Sequence, residues 1–585
     1  MTTATTLPTT SATAPDPAAE TTLDRFLYHA DRQPTAPAFT FLDDDGEVQR
    51  TLSYGELDAT ARSIAAGLRA RLARGERALL LLPEGLDFVP AFFGCLQAGV
   101  IAVPAYPPLP LQNRQRMETL KSIVDDCRPA AVIVAVPPEM LDTVRSVMPD
   151  LADLWWTTVA ELSAAAADAP DDHRPGPDDI AFLQYTSGST AMPKGVTVTH
   201  RALAHNEEMI RESFEHEKGL TGVGWLPLFH DMGLIGHVVQ PLWMGGHSIL
   251  MSPLTFIRRP VRWLRAISQY RATTSGAPNF AYDMCVARIR EEDCEGLDLS
   301  SWKVAYTGAE PVRDRTLRAF AERFAAHGFD PAAAYPCYGL AEATLLVTGA
   351  RVADEPTRLT VDDEALGAGR VVPAEAGTTL VSSGITRMDR EVVIVDPDTA
   401  EPVGPGRVGE IWIGGPDLPT GYWGRPEASE EVFAAKPAGA GGGPYLRSGD
   451  LGFLHEGELY VTGRCKDLII VGGRNHYPQD LEFTAEQAHS ALRTGCSAAF
   501  AVEDGGAERA VLVAGAGQGA AGADEAAAAK RAEIARVVRS AVAAAHGITL
   551  DDVVVVGPNA VPRTSSGKVQ RGACRAAYLR GEYAQ

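Results

Sequence analysis

Residues 185–195, YTSGSTAMPKG, contain the residue types that suit a phosphate-binding loop. Five consecutive small or hydroxyl residues leave their backbone N–H groups little covered: Thr186, Ser187, Gly188, Ser189 and Thr190. Because glycine lets the backbone approach a ligand closely, successive N–H groups of such a loop can form a concave anion site. Lys194 adds a cation just beyond them. The stretch predicts a polyphosphate site, although its composition fits a solvated linker equally well.

The loop differs from a Walker A motif, which places Gly-Lys-Ser/Thr after four variable residues, because Pro193 precedes Lys194 here. Residues 180–185, just before the loop, are mostly apolar and predict a buried strand. Ligands of open α/β sheets bind outside the carboxyl ends of the strands. We therefore expect the loop at the carboxyl end of a strand, followed by a helix over residues 199–214.

Two further stretches could contact a nucleotide and its metal ion. Residues 335–344, YPCYGLAEAT, pair Tyr338 with Gly339 and place Glu342 three residues later. An aromatic face can cover a purine, and a carboxylate near phosphates is a reasonable Mg²⁺ ligand. A second loop follows the strand predicted at 303–306 and contains Gly308, Ala309 and Glu310. Each stretch alone fits a solvated or capping role as well.

Five charged or titratable residues stand in other short motifs. Asp450 follows a glycine turn in RSGDL, where a carboxylate can accept both ribose hydroxyls or simply cap the turn. Arg464 and Lys466 stand in GRCKD, where the character of the sequence changes. Lys568 is carried by a small-residue loop, SSGK, that can lie flat against a ligand. His230 stands in the apolar stretch LPLFHDMG and is either part of a site wall or a hydrogen-bonded core residue.

Composition limits the partners of the chain. At 585 residues, several times a typical domain, more than one domain is expected. The net charge of −22 argues against nucleic acid or an anionic membrane as the main partner, so a few local cations must hold any anionic substrate. The eight cysteines show no CxxC pair or zinc-finger spacing, which is typical of reduced thiols in a cytoplasmic protein. The most apolar stretch, 86–106, contains Pro, Gly and Asp and predicts a buried helix and strand, not a membrane span.

Helical and β-rich segments alternate from about residue 23, which predicts parallel βαβ units. Residues 350–380 are polar and rich in glycine, lack apolar periodicity and predict an inserted flap. A β-rich stretch follows them. The predicted organisation is a disordered tail at 1–21, a large domain at 22–462, a hinge at 463–466 and a small domain at 467–585.

Taken together and in this order, the motifs resemble those of the adenylate-forming superfamily, which includes acyl-CoA synthetases, luciferases and nonribosomal adenylation domains. The likeness covers residues 23–580 and is specifically similar to the fatty acyl-AMP ligases in LPLFHDMGLIG, SGAPNFAYDMCVARI, YPCYGLAEATLLVTG and GRCKDLIIVGGRNHYPQDLE. Residues 350–380 stand where that family carries an insertion absent from typical acyl-CoA synthetases. Two departures are Ala191, where the family usually has Gly, and Ser383, where it has Cys.

The resemblance implies an α/β fold: a large N-terminal domain of mixed, mostly parallel sheets sandwiched by helices, with a β-rich subdomain and a small mobile C-terminal α+β lid. It implies activation of a fatty acid by ATP and Mg²⁺ to acyl-AMP, with release of pyrophosphate. The acyl group would then pass to the phosphopantetheine thiol of a carrier protein. Since no DSL-type carrier motif follows Lys568, that carrier is expected to act in trans.

The resemblance also implies three catalytic residues and a hinge. Lys568 would lie between the fatty carboxylate and the α-phosphate, and His230 at the junction of the nucleotide with an apolar tunnel expected near 225–285. Arg464 would lie near the ribose, and both Arg464 and Lys568 would contact the nucleotide. Lys466 would be the residue about which the C-terminal domain swings between two half-reactions.

The remaining site residues would hold the nucleotide and its metal ion, again by resemblance. The triphosphate would be bound by Thr186, Ser187, Gly188, Ser189, Thr190 and Lys194. Adenine would lie against Tyr338, Gly339, Gly308, Ala309 and Glu310. Asp450 would bind the ribose, while Glu342 and Thr190 would bind Mg²⁺.

Three alternatives stay open at this point. An acyl-CoA synthetase would use free CoA as acceptor, and the segment 350–380 weighs against it. An amino-acid-activating domain would want an acidic residue where Phe229 and His230 stand, and the adjacent Asp231 keeps that reading open. A non-catalytic relative would have lost the charged site residues, all of which are present here: Lys194, Glu342, Asp450, Arg464 and Lys568.

Overall fold

The structure is a computed structural model. It describes residues 21–107, 114–137, 140–146, 148, 151–164, 174–186, 193–439, 443–471, 474–504, 507–517, 520, 524–564 and 568–583. The predictions for residues 1–20 and for Ser187, Gly188, Ser189, Thr190 and Ala191 therefore concern residues outside the described ones. Thr21, counted with the disordered tail, is instead the buried N-cap of the first helix, where its hydroxyl accepts the N–H of Asp24 at 3.2 Å.

The first part of the chain alternates helices with strands, as its pattern predicts. Its elements are α1 (Thr22–Arg32), β1 (Pro37–Leu42), β2 (Val48–Ser53), α2 (Tyr54–Arg69), β3 (Arg77–Leu81), α3 (Phe88–Ala98), β4 (Ile101–Pro104), α4 (Arg114–Cys127), β5 (Ala131–Val134), α5 (Leu141–Ser146), β6 (Trp155–Thr158), α6 (Val159–Ser163), β7 (Ile180–Thr186) and β8 (Lys194–Thr199). Six of the strands form a sheet in the order β6-β5-β3-β4-β7-β8, parallel except for β8. Helix α3 is buried along its whole length, and no helix of the described residues is long and apolar enough to span a membrane.

The strands β7 and β8 form an antiparallel hairpin, which differs from the strand–loop–helix order expected from the sequence. Thr186 pairs with Lys194 across the hairpin, and the helix expected at 199–214 begins only at His200. The cause is the β-branched run VTVT of residues 196–199, which favours a strand. The predicted phosphate loop therefore joins two neighbouring strands.

The second sheet carries most of the remaining large core. Its elements are α7 (His200–Ser213), β9 (Thr221–Gly224), α8 (Asp231–Leu234), α9 (Gln240–Trp243), β10 (His247–Met251), α10 (Pro253–Arg258), α11 (Val261–Tyr270), β11 (Thr274–Gly276), α12 (Asn279–Arg288), β12 (Val304–Thr307), α13 (Asp314–Phe324), β13 (Ala334–Gly339) and β14 (Leu346–Gly349). The sheet has the order β14-β13-β12-β11-β9-β10-β1-β2, with only its outer strands antiparallel to their neighbours. A π-helical turn, Ile235–Val239, connects α8 to α9. The α/β class with mostly parallel sheets is confirmed.

A β-rich part follows and confirms the predicted subdomain. Its elements are β15 (Arg358–Val361), α14 (Asp363–Gly367), β16 (Thr378–Val381), β17 (Glu391–Val395), β18 (Gly409–Gly414), α15 (Pro426–Phe433), β19 (Leu446–His455) and β20 (Glu458–Arg464). Strands β17 to β20 form an antiparallel sheet. Residues 350–380 contain two short elements and bury Val361, Leu366 and Val371 against Phe453. These apolar residues are five positions apart, which matches neither the helical nor the strand period.

The last part of the chain forms separate small sheets. Its elements are β21 (Ile469–Val471), β22 (Arg474–His476), α16 (Pro478–Ala488), β23 (Leu492–Asp504), β24 (Ala507–Ala516), α17 (Glu525–His546), β25 (Asp552–Val556) and α18 (Arg571–Leu579). Strands β23, β24 and β25 form one sheet, and two apolar clusters are built from residues beyond 468 alone. The domain boundary at 463–466 stays a prediction.

A fully buried ion pair ties the β-rich part to α7. Arg390 Nη2 donates to Asp417 Oδ2 at 2.7 Å, and neither side chain has exposed surface. His205 Nδ1 lies 2.9 Å from the same oxygen. Burial alone would raise the pKa of Asp417, but the hydrogen bond from His205 and the charge of Arg390 hold it below its usual value.

Replacing Arg390 by Met should destabilise the protein strongly, because the variant leaves Asp417 charged and buried without its cation. We expect a loss of about 3–5 kcal/mol in the free energy of the first unfolding transition, measured in urea. Arg62→Met is the matched control, since Arg62 is 58% exposed and pairs with Asp58 on one helix face. It should cost no more than about 0.5 kcal/mol. Equal losses for the two variants would contradict the role given to the buried pair.

Candidate active site

A cavity of about 1650 Å³ lies where the carboxyl ends of β12 and β13 meet the β7–β8 hairpin, β20 and the C-terminal part. The cavity brings together these residues singled out in the sequence: Thr186, Lys194, His230, Gly308, Ala309, Glu310, Tyr338, Gly339, Glu342, Asp450, Arg464, Lys466 and Lys568. They come from strand ends and turns that are far apart in the chain. Ser187, Gly188, Ser189 and Thr190 lie outside the described part of the hairpin turn.

Tyr422 connects two of these residues and was missed by the sequence analysis. Its hydroxyl donates to Glu342 Oε1 at 3.0 Å, and Lys194 Nζ lies 4.7 Å from the centre of its ring. The tyrosine is held in place because its segment pairs with β8: Thr197 N donates to Gly421 O at 2.9 Å. A cation over an aromatic face is attracted by the ring quadrupole. In the sequence, Tyr422 is marked only by the triplet GYW at 421–423, which contains no charged residue.

Glu342 is a carboxylate at the end of the turn after β13. Burial raises the pKa of Glu342, while the hydrogen bond from Tyr422 and the charge of Arg464 oppose that rise. Asp231 lies near enough to add to the rise. In the described residues no cluster of three or more His, Cys, Asp or Glu side chains could hold a metal ion. A single carboxylate nevertheless fits Mg²⁺, which is usually bound by one or two carboxylates together with substrate phosphates.

Asp450 is the centre of a second polar group. Its two oxygens accept from Tyr338 Oη at 2.7 Å and from Arg464 Nε at 2.9 Å. The arrangement follows from strand register, because Asp450 and Arg464 are direct partners between β19 and β20. The charge of Asp450 is the main cause that raises the pKa of Arg464. The group therefore presents a fixed carboxylate and a fixed cation to the cavity.

Two glycines at the ends of β12 and β13 lie where the backbone is closely packed. A Cβ on Gly308 would lie 2.9 Å from Cys337 O, and one on Gly339 would lie 1.9 Å from Leu345 O. Ala309 has a φ of 68°, a left-handed conformation that an alanine adopts at a cost and that clusters at functional sites. The strain lies where the sequence analysis expected a nucleotide contact.

Glu310, next in the loop, accepts the backbone N–H of Phe280 at 2.7 Å. Burial raises the pKa of Glu310, while this hydrogen bond and the charges of Arg313 and Lys568 oppose the rise. The hydrogen bond from the start of α12 thus holds the carboxylate in place, close to the cations Arg313 and Lys568.

Lys568 is placed in the cavity by a narrow turn of the chain. Its backbone N–H donates to Thr564 Oγ1 at 3.0 Å, and Thr564 N donates to Lys568 O at 2.8 Å. Burial lowers the pKa of Lys568; Asp231, Glu310 and Asp450 oppose that shift, and Arg464 adds to it. One ammonium group therefore faces three carboxylates that come from three separate parts of the chain.

His230 begins α8 and lines the same cavity. Burial and the charge of Lys568 lower the pKa of His230 to about 3, so its imidazole is neutral at ordinary pH. The ring lies 4.8 Å from that of Phe229. The adjacent Asp231 accepts the N–H of Met232 at 2.7 Å, and burial raises the pKa of its carboxyl. A neutral imidazole can form a hydrogen bond with a carboxylate. Because it carries no positive charge, it does not pair with the carboxylate in place of a cation.

The cavity continues beyond His230 along the second sheet. Part of its wall lies within the expected range 225–285, but Ile210, Phe214 and Tyr306 also line it. Phe214 packs against Tyr306 with 5.4 Å between ring centres. The wall is not apolar throughout, since His216, Gln240 and Thr274 are among the lining residues. The acyl tunnel stays a prediction, and the wall in this region is less uniformly apolar than expected.

Lys466, the expected hinge residue, lies in the short turn Cys465–Asp467 after β20 and also lines the cavity. The neighbouring Asp467 accepts from Arg571 Nη1 at 3.0 Å, and Arg571 also pairs with Glu482. These contacts link the turn to α16 and α18. They leave the hinge role of Lys466 as a prediction.

Comparison with known proteins gives consistent matches over most of the chain. Residues 26–423 match the AMP-binding enzyme family, and residues 466–585 match the AMP domain of Disco-interacting protein 2-like proteins. The medium-chain-fatty-acid–acyl-carrier-protein ligase JamA of Moorena producens (strain JHB) is 41% identical over 97% of this chain and 96% of its own length. The long-chain-fatty-acid–AMP ligase FadD32 of Mycolicibacterium smegmatis is 39% identical over 93% of this chain and 92% of its own. The solved fatty acyl-adenylate ligase of L. pneumophila, in complex with acyl adenylate and pyrophosphate, is 40% identical with a TM-score of 0.73 over 96% of each chain.

Proposed function

The chain belongs to the AMP-binding enzyme family, and from this premise we propose that it activates a fatty acid with ATP to acyl-AMP and passes the acyl group to a carrier protein. The relatives named above support both steps, since one is a ligase of fatty acids to acyl-carrier protein and another a fatty-acid–AMP ligase. Both are similar along nearly their whole length. ATP and a phosphopantetheine thiol are accordingly the co-substrates proposed here.

The observation that carries the proposal is the position of Lys568. Its ammonium group faces the side of the cavity where Asp450 and Arg464 lie, and also Asp231 beside His230. Asp450 and Arg464 supply the acceptors and donors that a nucleotide needs. Beyond Asp231 and His230, the cavity continues into the partly apolar channel. A cation at this junction suits a reaction between a carboxylate and a phosphate.

The proposed first step has an electrostatic obstacle, because an anion must attack a polyanion. A carboxylate oxygen forms a bond to the α-phosphorus while the bond from that phosphorus to the bridging oxygen breaks, and pyrophosphate leaves with the electron pair. Preorganised cations lower such a barrier by offsetting charge that builds up in the transition state. Lys568 would serve the reacting oxygens, and the neutral His230 would orient the carboxylate.

The remaining residues would hold the nucleotide. Asp450 and Arg464 would bind the ribose, and Tyr338, Gly339 and the loop of Gly308, Ala309 and Glu310 the adenine. Lys194 and the hairpin turn with Thr186, Ser187, Gly188, Ser189 and Thr190 would bind the β- and γ-phosphates. Glu342, with Thr190, would hold Mg²⁺, which when bound neutralises charge on the phosphate oxygens.

The second step would be attack of the carrier thiol on the acyl carbonyl, with AMP as the leaving group. Lys568 has no part in that step. We propose that residues 467–585 act as a lid that turns about Lys466 between the two steps, as the separate apolar clusters of this part of the chain support. The fatty acid and the carrier protein are the partners on this proposal.

The function is tested by pyrophosphate release with ATP, Mg²⁺ and a panel of short to long fatty acids. At least one acid should raise the rate above the rate without acid. The product is then offered to a holo acyl carrier protein or to free CoA, and thioester is expected with the carrier. Thioester with CoA alone would identify an acyl-CoA synthetase instead. No pyrophosphate with any acid would contradict adenylation altogether.

Replacing Lys568 by Ala should slow adenylation by about 10²-fold or more, the usual cost of losing one preorganised donor to a transition state. Acyl transfer from supplied acyl-AMP to the carrier should fall much less, because Lys568 serves the first step alone. Lys530→Ala is the matched control, since Lys530 lies on α17, is 39% exposed and pairs with Glu533 in its own helix. Equal slowing of both steps by Lys568→Ala would contradict the assignment.

The pH profile of kcat/KM for adenylation should be narrow. Activity requires an ionised Glu342 and a charged Lys568, so it is lost as pH falls through the raised pKa of Glu342 and as pH rises through the lowered pKa of Lys568. Tyr422→Phe removes the hydrogen bond that favours the ionised Glu342, so the acidic limb should move to higher pH while the basic limb stays.

The control for this shift is Tyr445→Phe. Tyr445 also donates its hydroxyl to a glutamate, Glu391 at 3.0 Å, but that pair lies away from the cavity. The profile of this variant should match that of the unchanged protein. A shift in both limbs for Tyr422→Phe, or in neither, would contradict the coupling of Tyr422 to Glu342.

A further inference from the structure

The channel beyond His230 ends in polar side chains rather than in an apolar wall. His216, Gln240 and Thr274, which we call the polar cap, line the cavity yet are at most 8% exposed. Phe214 joins the cap to the channel wall, because its ring lies 5.2 Å from that of His216 and 5.4 Å from that of Tyr306. A plain alkyl chain that filled the channel would end against these polar atoms, which is unfavourable unless their hydrogen bonds are complete.

Strand register shows that the cap lies opposite the reaction centre. Thr274 begins β11 and pairs with Val304 at the start of the parallel strand β12, whereas Gly308 follows the carboxyl end of β12. Gly308 is four residues beyond Val304, so at about 3.3 Å per residue the cap is about 13 Å from the Gly308 loop along the strand. The depth suits an acyl chain of medium length.

The hydrogen bonds within the cap form a chain with a defined direction. The Gln240 side-chain nitrogen donates to Glu207 O at 3.0 Å and to the Glu207 carboxyl, so the Gln240 side-chain oxygen accepts from His216 Nδ1 at 3.0 Å. His216 Nε2 therefore carries no proton and accepts from Thr274 Oγ1 at 2.9 Å. Burial and the charge of Arg211 lower the pKa of His216 to about 3, which agrees with a neutral ring.

Counting donors and acceptors shows what the cap still lacks. Every proton of the His216 ring, the Thr274 hydroxyl and the Gln240 amide is used within the chain. The lone pairs that are left belong to Thr274 Oγ1 and Gln240, so the cap offers acceptors to the channel and no donor. A ligand group that meets it should be a hydrogen-bond donor.

Glu207 stands behind the cap and bears on the charge of that donor. Its side chain has no exposed surface, and Oε1 has no hydrogen-bond partner among the described residues. Burial raises the pKa of Glu207 well above its usual value, which favours the neutral carboxyl. A neutral, buried cap disfavours an ammonium group, because that group would lose its hydration and gain no opposite charge in return.

We propose that the cap recognises a hydroxyl group at the far end of the acyl chain, so that the acid activated by this enzyme is a medium-chain hydroxy acid. The inference rests on the proposed function and narrows its substrate class. The hydroxyl would donate to Thr274 Oγ1 or to the Gln240 oxygen. The rest of the chain would lie along Phe214, Tyr306 and Ile210.

The test compares pairs of acids of equal length that end either in a methyl group or in a hydroxyl group in its place. Pyrophosphate release with ATP gives kcat/KM for each acid. At one medium length the hydroxy acid should exceed its methyl partner by about tenfold or more, because only the hydroxyl can donate a hydrogen bond to the spare lone pairs of the cap. Methyl partners that are equal or better at every length would overturn the inference. Amino-terminated acids that exceed the hydroxy acids would overturn it too.

Variants at Thr274 show whether this side chain causes the preference for hydroxy acids. Their readout is the ratio between two acids, not the total activity. Thr274→Val keeps the shape of the side chain but removes the hydroxyl, so the ratio of hydroxy to methyl acid should fall several-fold. Thr274→Ser keeps the hydroxyl and should keep the ratio. Thr273→Val is the matched control, since Thr273 is the preceding residue and is not among the described residues that line the cavity. If the ratio of hydroxy to methyl acid were unchanged in Thr274→Val, recognition of the hydroxyl by Thr274 would be contradicted.

The assay distinguishes a failure of the polar cap from a failure of adenylation. If methyl-terminated acids release pyrophosphate but hydroxyl groups bring no gain, the proposed function stands and the polar cap is wrong. If no acid of either series releases pyrophosphate, adenylation itself is contradicted. The comparison of acids needs only the unchanged protein, so it stays decisive even if Thr274→Val does not fold.

Discussion

The whole site depends on keeping one ammonium group charged inside a buried cavity. Removing Lys568 from water favours its neutral form, and the nearby carboxylates of Asp231, Glu310 and Asp450 oppose this. Each carboxylate is in turn held by a donor of its own, such as the N–H of Phe280 on Glu310. The fold must therefore bring an α-helix start, a strand-end loop and a β-hairpin to the same place before Lys568 can serve there.

Two tyrosines carry out the positioning that this charge balance requires. Tyr338 reaches from the second large sheet to Asp450 of the β-rich sheet, and Tyr422 reaches from the β8 edge to Glu342. Each hydroxyl donates a hydrogen bond to a carboxylate while its ring fills space between sheets. Because both are neutral, they fix the geometry without adding to a negative charge that is already large.

The motifs predicted much of the site, since loops at strand ends place glycines and charged groups at recognisable spacings. The alternation of helices and strands likewise predicted the parallel sheets. This alternation did not predict the hairpin that follows Thr186, because the β-branched run before the next helix is too short to show a periodic pattern. Tyr422 and the polar cap were missed for another reason: His216, Gln240 and Thr274 share no motif and meet only through packing. Gln240 reaches the channel after the π-helical turn, which shifts the helix face in a way that sequence periodicity does not show.

The separation of the two ends of the cavity has a physical consequence for specificity. At the Lys568 end, recognition rests on charge, which any carboxylic acid would satisfy equally well. At the cap, recognition rests on the spare lone pairs of buried acceptors, to which a donor on the ligand can add a hydrogen bond. Discrimination between acids must therefore come from the cap and the channel length, while the rate of the chemical step comes from the charged end. Because about 13 Å of strand separates Gly308 from Thr274, changes at the cap can alter which acid is chosen without moving the charges around Lys568.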